Sequence, residues 1–167
     1  VVPIAKDETG GTLFDKLAEA GAKLLVETLP HIFDGTAVYE KQPEESPTPY
    51  AGMITKQMGL INFGKSAAEL ERLVRGLNPW PSAFTFWNGK TLKVWESFVV
   101  KSEEAGTEKP EPGTVVKTDK KGIYVACGED VLVLSQVQLE GKKRMDADAF
   151  LRGCHIETGS RFTDKKE

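Results

Sequence analysis

The chain has 167 residues, 40% of them hydrophobic and 28% charged, with a net charge of −3 at neutral pH. These values describe an ordinary folded domain and exclude a disordered polyelectrolyte or a disulfide scaffold. No window stays apolar for the roughly 18 residues of a membrane-spanning helix. No secretory pattern is visible, and Cys127 and Cys154 read as two reduced thiols, so a cytoplasmic protein fits best. The charge is uneven: residues 1–49 carry a net of −5 and residues 50–167 a net of +2. That second part is mildly basic, short of the footprint of a self-sufficient nucleic-acid binder.

In chain order, residues 1–4 read as a strand belonging to a longer protein, since nothing precedes Val1. A helix is predicted over 12–33 from Leu13, Leu17, Leu24, Leu25, Leu29 and Ile32, with Thr12 as its cap and Gly35 as its stop. Pro30 should loosen its last turn. The leucine stripe needs a partner, or is left exposed. Segment 40–50 holds three prolines and three glutamates and reads as an extended linker. A second helix is predicted over 66–77, opened by the Ser66/Glu69 capping box and buried along Ala67, Leu70, Leu73, Val74 and Leu77. Arg72 and Arg75 lie off that stripe and should face solvent or a partner.

Asn78-Pro79-Trp80-Pro81-Ser82-Ala83-Phe84 ends the helix and offers Trp80 as a ring to bury. Five strands follow, at 83–87, 91–100, 114–118, 123–127 and 131–139, the first two joined by Asn88-Gly89. Segment 101–113 is polar and acidic and reads as a mobile loop. A short helix over 147–151 is capped by Asp146. The fold class is α+β, mainly β: a small OB-like open antiparallel barrel preceded by a linker and a helix.

No catalytic or metal-ligating residue is assigned. There is no phosphate loop and no nucleophile elbow, His31 sits at a helix end, and His155 beside Cys154 has no further ligand cluster. Basic residues do gather: Lys142, Lys143 and Arg144 in one loop, Lys90 and Lys93 on the Asn88-Gly89 hairpin, and Lys56 at the linker exit. Loops at the mouth of a small barrel present such groups to a polyanion.

Several segments in order resemble the C-terminal half of the methionyl-tRNA formyltransferase family. They are Glu8-Thr9-Gly10-Gly11-Thr12-Leu13, Ser66-Ala67-Ala68-Glu69-Leu70, the Asn78 to Phe84 run, Leu92-Lys93-Val94-Trp95, Val125-Ala126-Cys127-Gly128 and Gly141-Lys142-Lys143-Arg144-Met145. The resemblance implies three parts. Residues 1–37 are the last strand and helix of a Rossmann-like formyltransferase domain, 38–62 a linker, and 63–167 an OB-like tRNA-binding domain. It implies that the Asn/His/Asp catalytic set lies in a missing N-terminal domain, so the fragment alone is inactive. No cofactor is expected in the fragment; 10-formyltetrahydrofolate is the co-substrate of the parent enzyme. The implied partner is initiator methionyl-tRNA, held by a monomer through Lys56, Arg72, Arg75, Lys90, Lys93, Lys142, Lys143 and Arg144. Ser82 departs from the glycine usual in the proline-tryptophan motif, which should alter the bend there. The alternative is the structural barrel of a nucleotide-sugar formyltransferase or a formyltetrahydrofolate dehydrogenase, without RNA binding.

Overall fold

The computed structural model describes residues 1–46, 48–105 and 110–165. Its centre is an open antiparallel sheet in the order β1-β2-β5-β4-β3, with β6 pairing on β5. The strands are β1 Ala83–Trp87, β2 Lys90–Val100, β3 Val115–Asp119, β4 Gly122–Ala126, β5 Val131–Leu139 and β6 Met145–Asp146. The open-barrel expectation is met, with one strand more than the sequence pattern predicts. β6 is only two residues long and carries no alternation to read. The hairpin between β1 and β2 turns on Asn88 (φ 48°) and Gly89 (φ 68°). Two consecutive positive φ angles match the twist of the flanking strands, which is why Asn-Gly is favoured there.

Leu92 and Val94 of β2 face inward, and β4 is buried along its whole length. The main core joins Ile61, Leu70, Val74, Val125, Leu134 and Phe162. Burying each such side chain stabilises by about 1.5–3 kcal/mol relative to leaving it in water. Helix α2 (Ala67–Gly76) supplies Leu70 and Val74 and starts as predicted. The Glu69 amide donates to Ser66 Oγ at 3.3 Å, and the Ser66 amide donates to Glu69 Oε2 at 3.2 Å. Helix α3 (Ala147–Gly153) lays Ala147 and Phe150 on the same core.

The two edges of the sheet are joined by the C-terminal segment. Phe86 in β1 and Thr163 exchange both backbone hydrogen bonds at 3.0 Å. The Phe162 amide donates to Gly113 O, and the Val115 amide at the start of β3 donates to Ser160 O. Edge strands left open invite pairing with other chains, and this strap covers both.

Helix α1 (Gly10–Phe33) begins earlier than predicted. Thr9, not Thr12, is the cap: its Oγ1 accepts from the Thr12 amide at 3.2 Å, while Thr12 Oγ1 accepts from the Thr9 amide at 3.0 Å. The two glycines can therefore occupy the first turn, where it meets the end of α2. A Cβ on Gly10 would sit 2.4 Å from Gly76 O. The Gly11 amide donates to Asn78 O at 2.8 Å. The helix runs through Pro30 and ends at Asp34, followed by Gly35 at φ 76°. None of its residues is fully buried, and Phe14, Val26 and Leu24 are 72%, 70% and 63% exposed.

Other expectations change on folding. Residues 1–4 form no strand, because no other described segment pairs with them. Trp80 is 59% exposed; burial at that turn is done by its neighbours Leu77 and Ala83. Ser82 takes φ 69° and is buried. Glycine enters that left-handed region freely, whereas an L side chain costs about 1–2 kcal/mol there. In segment 101–113, Ser102–Ala105 forms a helical turn tied back by Lys101 Nζ to Asp130 Oδ2 at 2.8 Å. The mobile-loop expectation for 106–109 lies outside the described residues. Packing begins ahead of residue 63, for Ile61 is in the core and its amide donates to Phe84 O at 2.8 Å.

Glu8 holds the entry to α1. Its carboxylate accepts from Lys16 Nζ, from Thr12 Oγ1 at 2.6 Å and from the Ala5 amide at 3.2 Å. These contacts, Lys16 foremost and then Thr12 and Ala5, hold the carboxyl at about 2, down from its ordinary 4.5. A lowered folded-state value means the contribution is fully present above 4.5 and lost as pH falls through about 2. Acid titration should loosen the start of α1 across that window, seen as lower amide-exchange protection factors at Leu13 and its neighbours. A Glu8→Gln chain with the same acid profile would overturn this.

Candidate nucleic-acid interface

The basic residues separate into three groups. Lys90, Lys93, Lys142, Lys143 and Arg144 collect at one end of the β2/β5 pair. There Leu92 stands opposite Leu139, and the Glu140 amide donates to Thr91 O at 2.8 Å. Arg72 and Arg75 lie on α2. Lys56 opens a 3-10 turn, Lys56–Gly59, which leads into the Leu60–Phe84 bridge at the β1 edge. Lys56, Arg72, Lys90, Lys142, Lys143 and Arg144 are exposed, and Lys93 is half-buried.

The first group is organised around Trp95. Lys93 Nζ lies 5.6 Å, and the Arg144 guanidinium carbon 4.7 Å, from the indole centroid. Cation–π contacts of this kind are worth about 0.5–1 kcal/mol at exposed sites. The indole is itself fixed: its Nε1 donates to Gln138 Oε1 at 3.1 Å, and Asn78 Nδ2 donates to the Trp95 carbonyl at 3.0 Å. Gln138 Nε2 donates to Lys142 O at 3.0 Å, which ties the basic loop to the ring. Arg144 donates through Nε to Gln136 Oε1, and through Nη2 to Glu96 Oε1 at 3.1 Å. A shallow groove of about 300 Å³ lies alongside, between Lys93, Gln138 and Gly141.

Arg75 turns inward instead of facing solvent. Its Nε pairs with Glu71 one helical turn back, and its Nη1 donates to Glu8 O at 2.7 Å. The Glu71 contact, with smaller attraction from Asp7, holds its guanidinium above its ordinary value. Arg75 therefore joins α2 to the start of α1. It lines a groove of about 770 Å³ with Lys6, Glu71, Trp95, Ser97 and Phe98. Ser97 Oγ is buried in the wall with no hydrogen-bond partner among the described residues.

Trp95 and Glu96 are absent from the site read in the sequence. For Trp95 the signal was legible: with Leu92 and Val94 inward, Lys93 and Trp95 face out, an aromatic beside a cation on a strand surface. Glu96 gave no such signal, because its outward direction depends on a break in the β2/β5 register between Val94 and Ser97.

Among the described residues no group of three or more His, Cys, Asp or Glu side chains could hold a metal ion. Burial pushes the Cys127 thiol up to about 12, so it stays protonated and unreactive. His31 is on the surface, its Nδ1 3.0 Å from Thr36 Oγ1. No helix of the described residues is long and apolar enough to cross a membrane.

Comparison with known proteins fits this geometry. Residues 53–155 match the family model for the formyl transferase C-terminal domain. The chain belongs to that family. Over 162 residues it is 54% identical to the methionyl-tRNA formyltransferase of Agathobacter rectalis, covering 97% of this chain and 51% of the relative. The methionyl-tRNA formyltransferase of Bacillus subtilis is 46% identical over 95% of this chain and 49% of its own length. The chain thus spans about half the length of the curated relatives it matches, and they are the proteins its motifs resemble. Among solved structures, HypX from Aquifex aeolicus superposes with a TM-score of 0.59 at 12% identity, over 95% of this chain and 30% of HypX. At that identity the likeness carries the family domain's fold and no function.

Proposed function

We propose that this chain is the C-terminal, tRNA-holding part of a methionyl-tRNA formyltransferase. The observation that carries the reading is its identity of 54% and 46% to proteins of that name, sustained over nearly the whole chain. The cationic end of the β2/β5 pair supports it. In the whole enzyme, 10-formyltetrahydrofolate gives its formyl group to the α-amine of methionine on initiator tRNA, in the cytoplasm. That chemistry belongs to the N-terminal formyltransferase domain, of which residues 1–37 are the last part and against which the exposed face of α1 packs. The domain of residues 63–167 holds the tRNA body through phosphate contacts, which position a nucleic acid without reading its sequence. Lys90, Lys93, Lys142, Lys143 and Arg144 form the principal surface, with Lys56 and Arg72 as outlying contacts. Arg75, engaged within the protein, contributes least. The chain acts as a monomer and brings no cofactor of its own.

The test is binding of the chain to initiator tRNA across a salt series. Log K should fall linearly with log salt as condensed counterions are released. The same chain, without any N-terminal domain, should transfer no formyl group. Absent or salt-insensitive binding would sink the reading.

A further inference from the structure

The register break in β2 has a chemical result. In regular pairing successive side chains alternate across the sheet, so Val94 inward and Trp95 outward would send Glu96 into the core. A bulge between Val94 and Ser97 re-aims this residue, and bulges commonly do so beside functional sites. Trp95 and Glu96 both reach the outer face, and Arg144 touches both: the ring at 4.7 Å and the carboxylate at 3.1 Å.

Glu96 lies among cations. Lys93 sits over the same ring, and Lys142 and Lys143 precede Arg144 in the loop. The Arg144–Glu96 pair is exposed, with side chains 41% and 58% accessible. Exposed pairs of this kind add little to stability, and breaking one is correspondingly easy. The guanidinium, by contrast, is well held. Its carbon lies over the Trp95 ring, and Gln136 accepts from Nε. A fork already oriented loses less freedom when it takes up an oxyanion. Carboxylate and phosphate oxygens accept from that fork in the same way.

We propose that Arg144, held over the Trp95 ring, is a phosphodiester-binding site, and that Glu96 fills it in the free protein as an internal stand-in for the phosphate. The inference rests on the reading of this chain as a tRNA-binding module and assigns roles within that surface. On binding, the hydrogen bond from Arg144 Nη2 to Glu96 Oε1 is exchanged for one to a phosphate oxygen, and Glu96 returns to water. Glu96 thereby weakens RNA binding, and Trp95 is a positioning residue for Arg144.

The experiment measures initiator tRNA affinity for the wild-type chain, Glu96→Gln, Arg144→Ala and the double variant, with thermal unfolding as the folding control. Glu96→Gln should tighten binding about two- to fivefold, the scale of an exposed ion pair removed as competitor. In the Arg144→Ala background the same change should give no gain. A gain that survives there is a general effect of net charge and overturns the proposal, as does a Glu96→Gln chain that binds no tighter. Competition by inorganic phosphate at matched ionic strength separates the sources. A phosphodiester site in RNA is little displaced, and full displacement reduces the site to a simple anion site. A wild-type chain that fails to bind tRNA defeats the functional reading itself, whereas binding with a neutral Glu96→Gln defeats only this inference.

Discussion

Phe162→Ala should lower the stability of the chain by about 3–5 kcal/mol, the range for truncating a buried phenylalanine. The ring is 2% exposed and stacks on Phe63 with centroids 6.2 Å apart. Its removal leaves a cavity beneath the strap that joins the two sheet edges. Thr163 pairs with Phe86, and its carbonyl also accepts from Thr85 Oγ1 at 3.0 Å, so the strap cannot close over the gap without giving up hydrogen bonds. Phe162→Leu retains most of the volume and should be clearly less destabilising. Urea unfolding followed by tryptophan fluorescence is the measurement. A Phe162→Ala cost below about 1 kcal/mol, less than a lone buried methylene deletion often costs, would mean that the strap is not part of the cooperative core.

Replacing Lys142, Lys143 and Arg144 together by alanine should weaken initiator tRNA binding by on the order of tenfold or more at moderate salt. It should also flatten the slope of log K against log salt by about one for each phosphate that is no longer neutralised. These side chains are exposed, and the backbone of their loop is held by Gln138 and by the Lys142 amide to Leu139 O at 2.8 Å. Folding should therefore survive the change. Lys120 and Lys121, in the turn between β3 and β4, provide the control. They are exposed in a different loop, and their replacement should leave the slope unchanged. Equal weakening from both sets would show that net charge matters and this surface does not.

These two expectations draw on different kinds of information. The loop of Lys142, Lys143 and Arg144 was legible in the sequence because three adjacent cations need no fold to be noticed. The strap was not. Residues 157–163 carry no alternation, and Thr163 finds Thr85 across 78 positions of chain. Arg75 shows the same limit. Its helix and its direction off the apolar stripe follow from local spacing, yet its engagement with the Glu8 carbonyl spans 67 positions. The cap of α1 lies three residues ahead of its expected place for a related reason. Gly10 and Gly11 lie inside the first turn because the end of α2 and the residues after it come near enough to require their missing side chains.

What the sequence determined by itself was local. It includes the capping box of α2, the Asn88-Gly89 turn, the alternation of Leu92 and Val94, and the ordered motifs that resemble the family to which the chain belongs. Each is written within a few residues, where helix and strand periodicity act. Tertiary structure alone decided which cation has a platform and which is already engaged. Arg144 reaches Trp95 because β6 returns along β5 opposite the stretch that β2 pairs on its other edge, and Glu96 faces it because the β2/β5 pairing slips at a bulge. Both depend on the register between strands some forty residues apart, and register is set by how a whole face is buried.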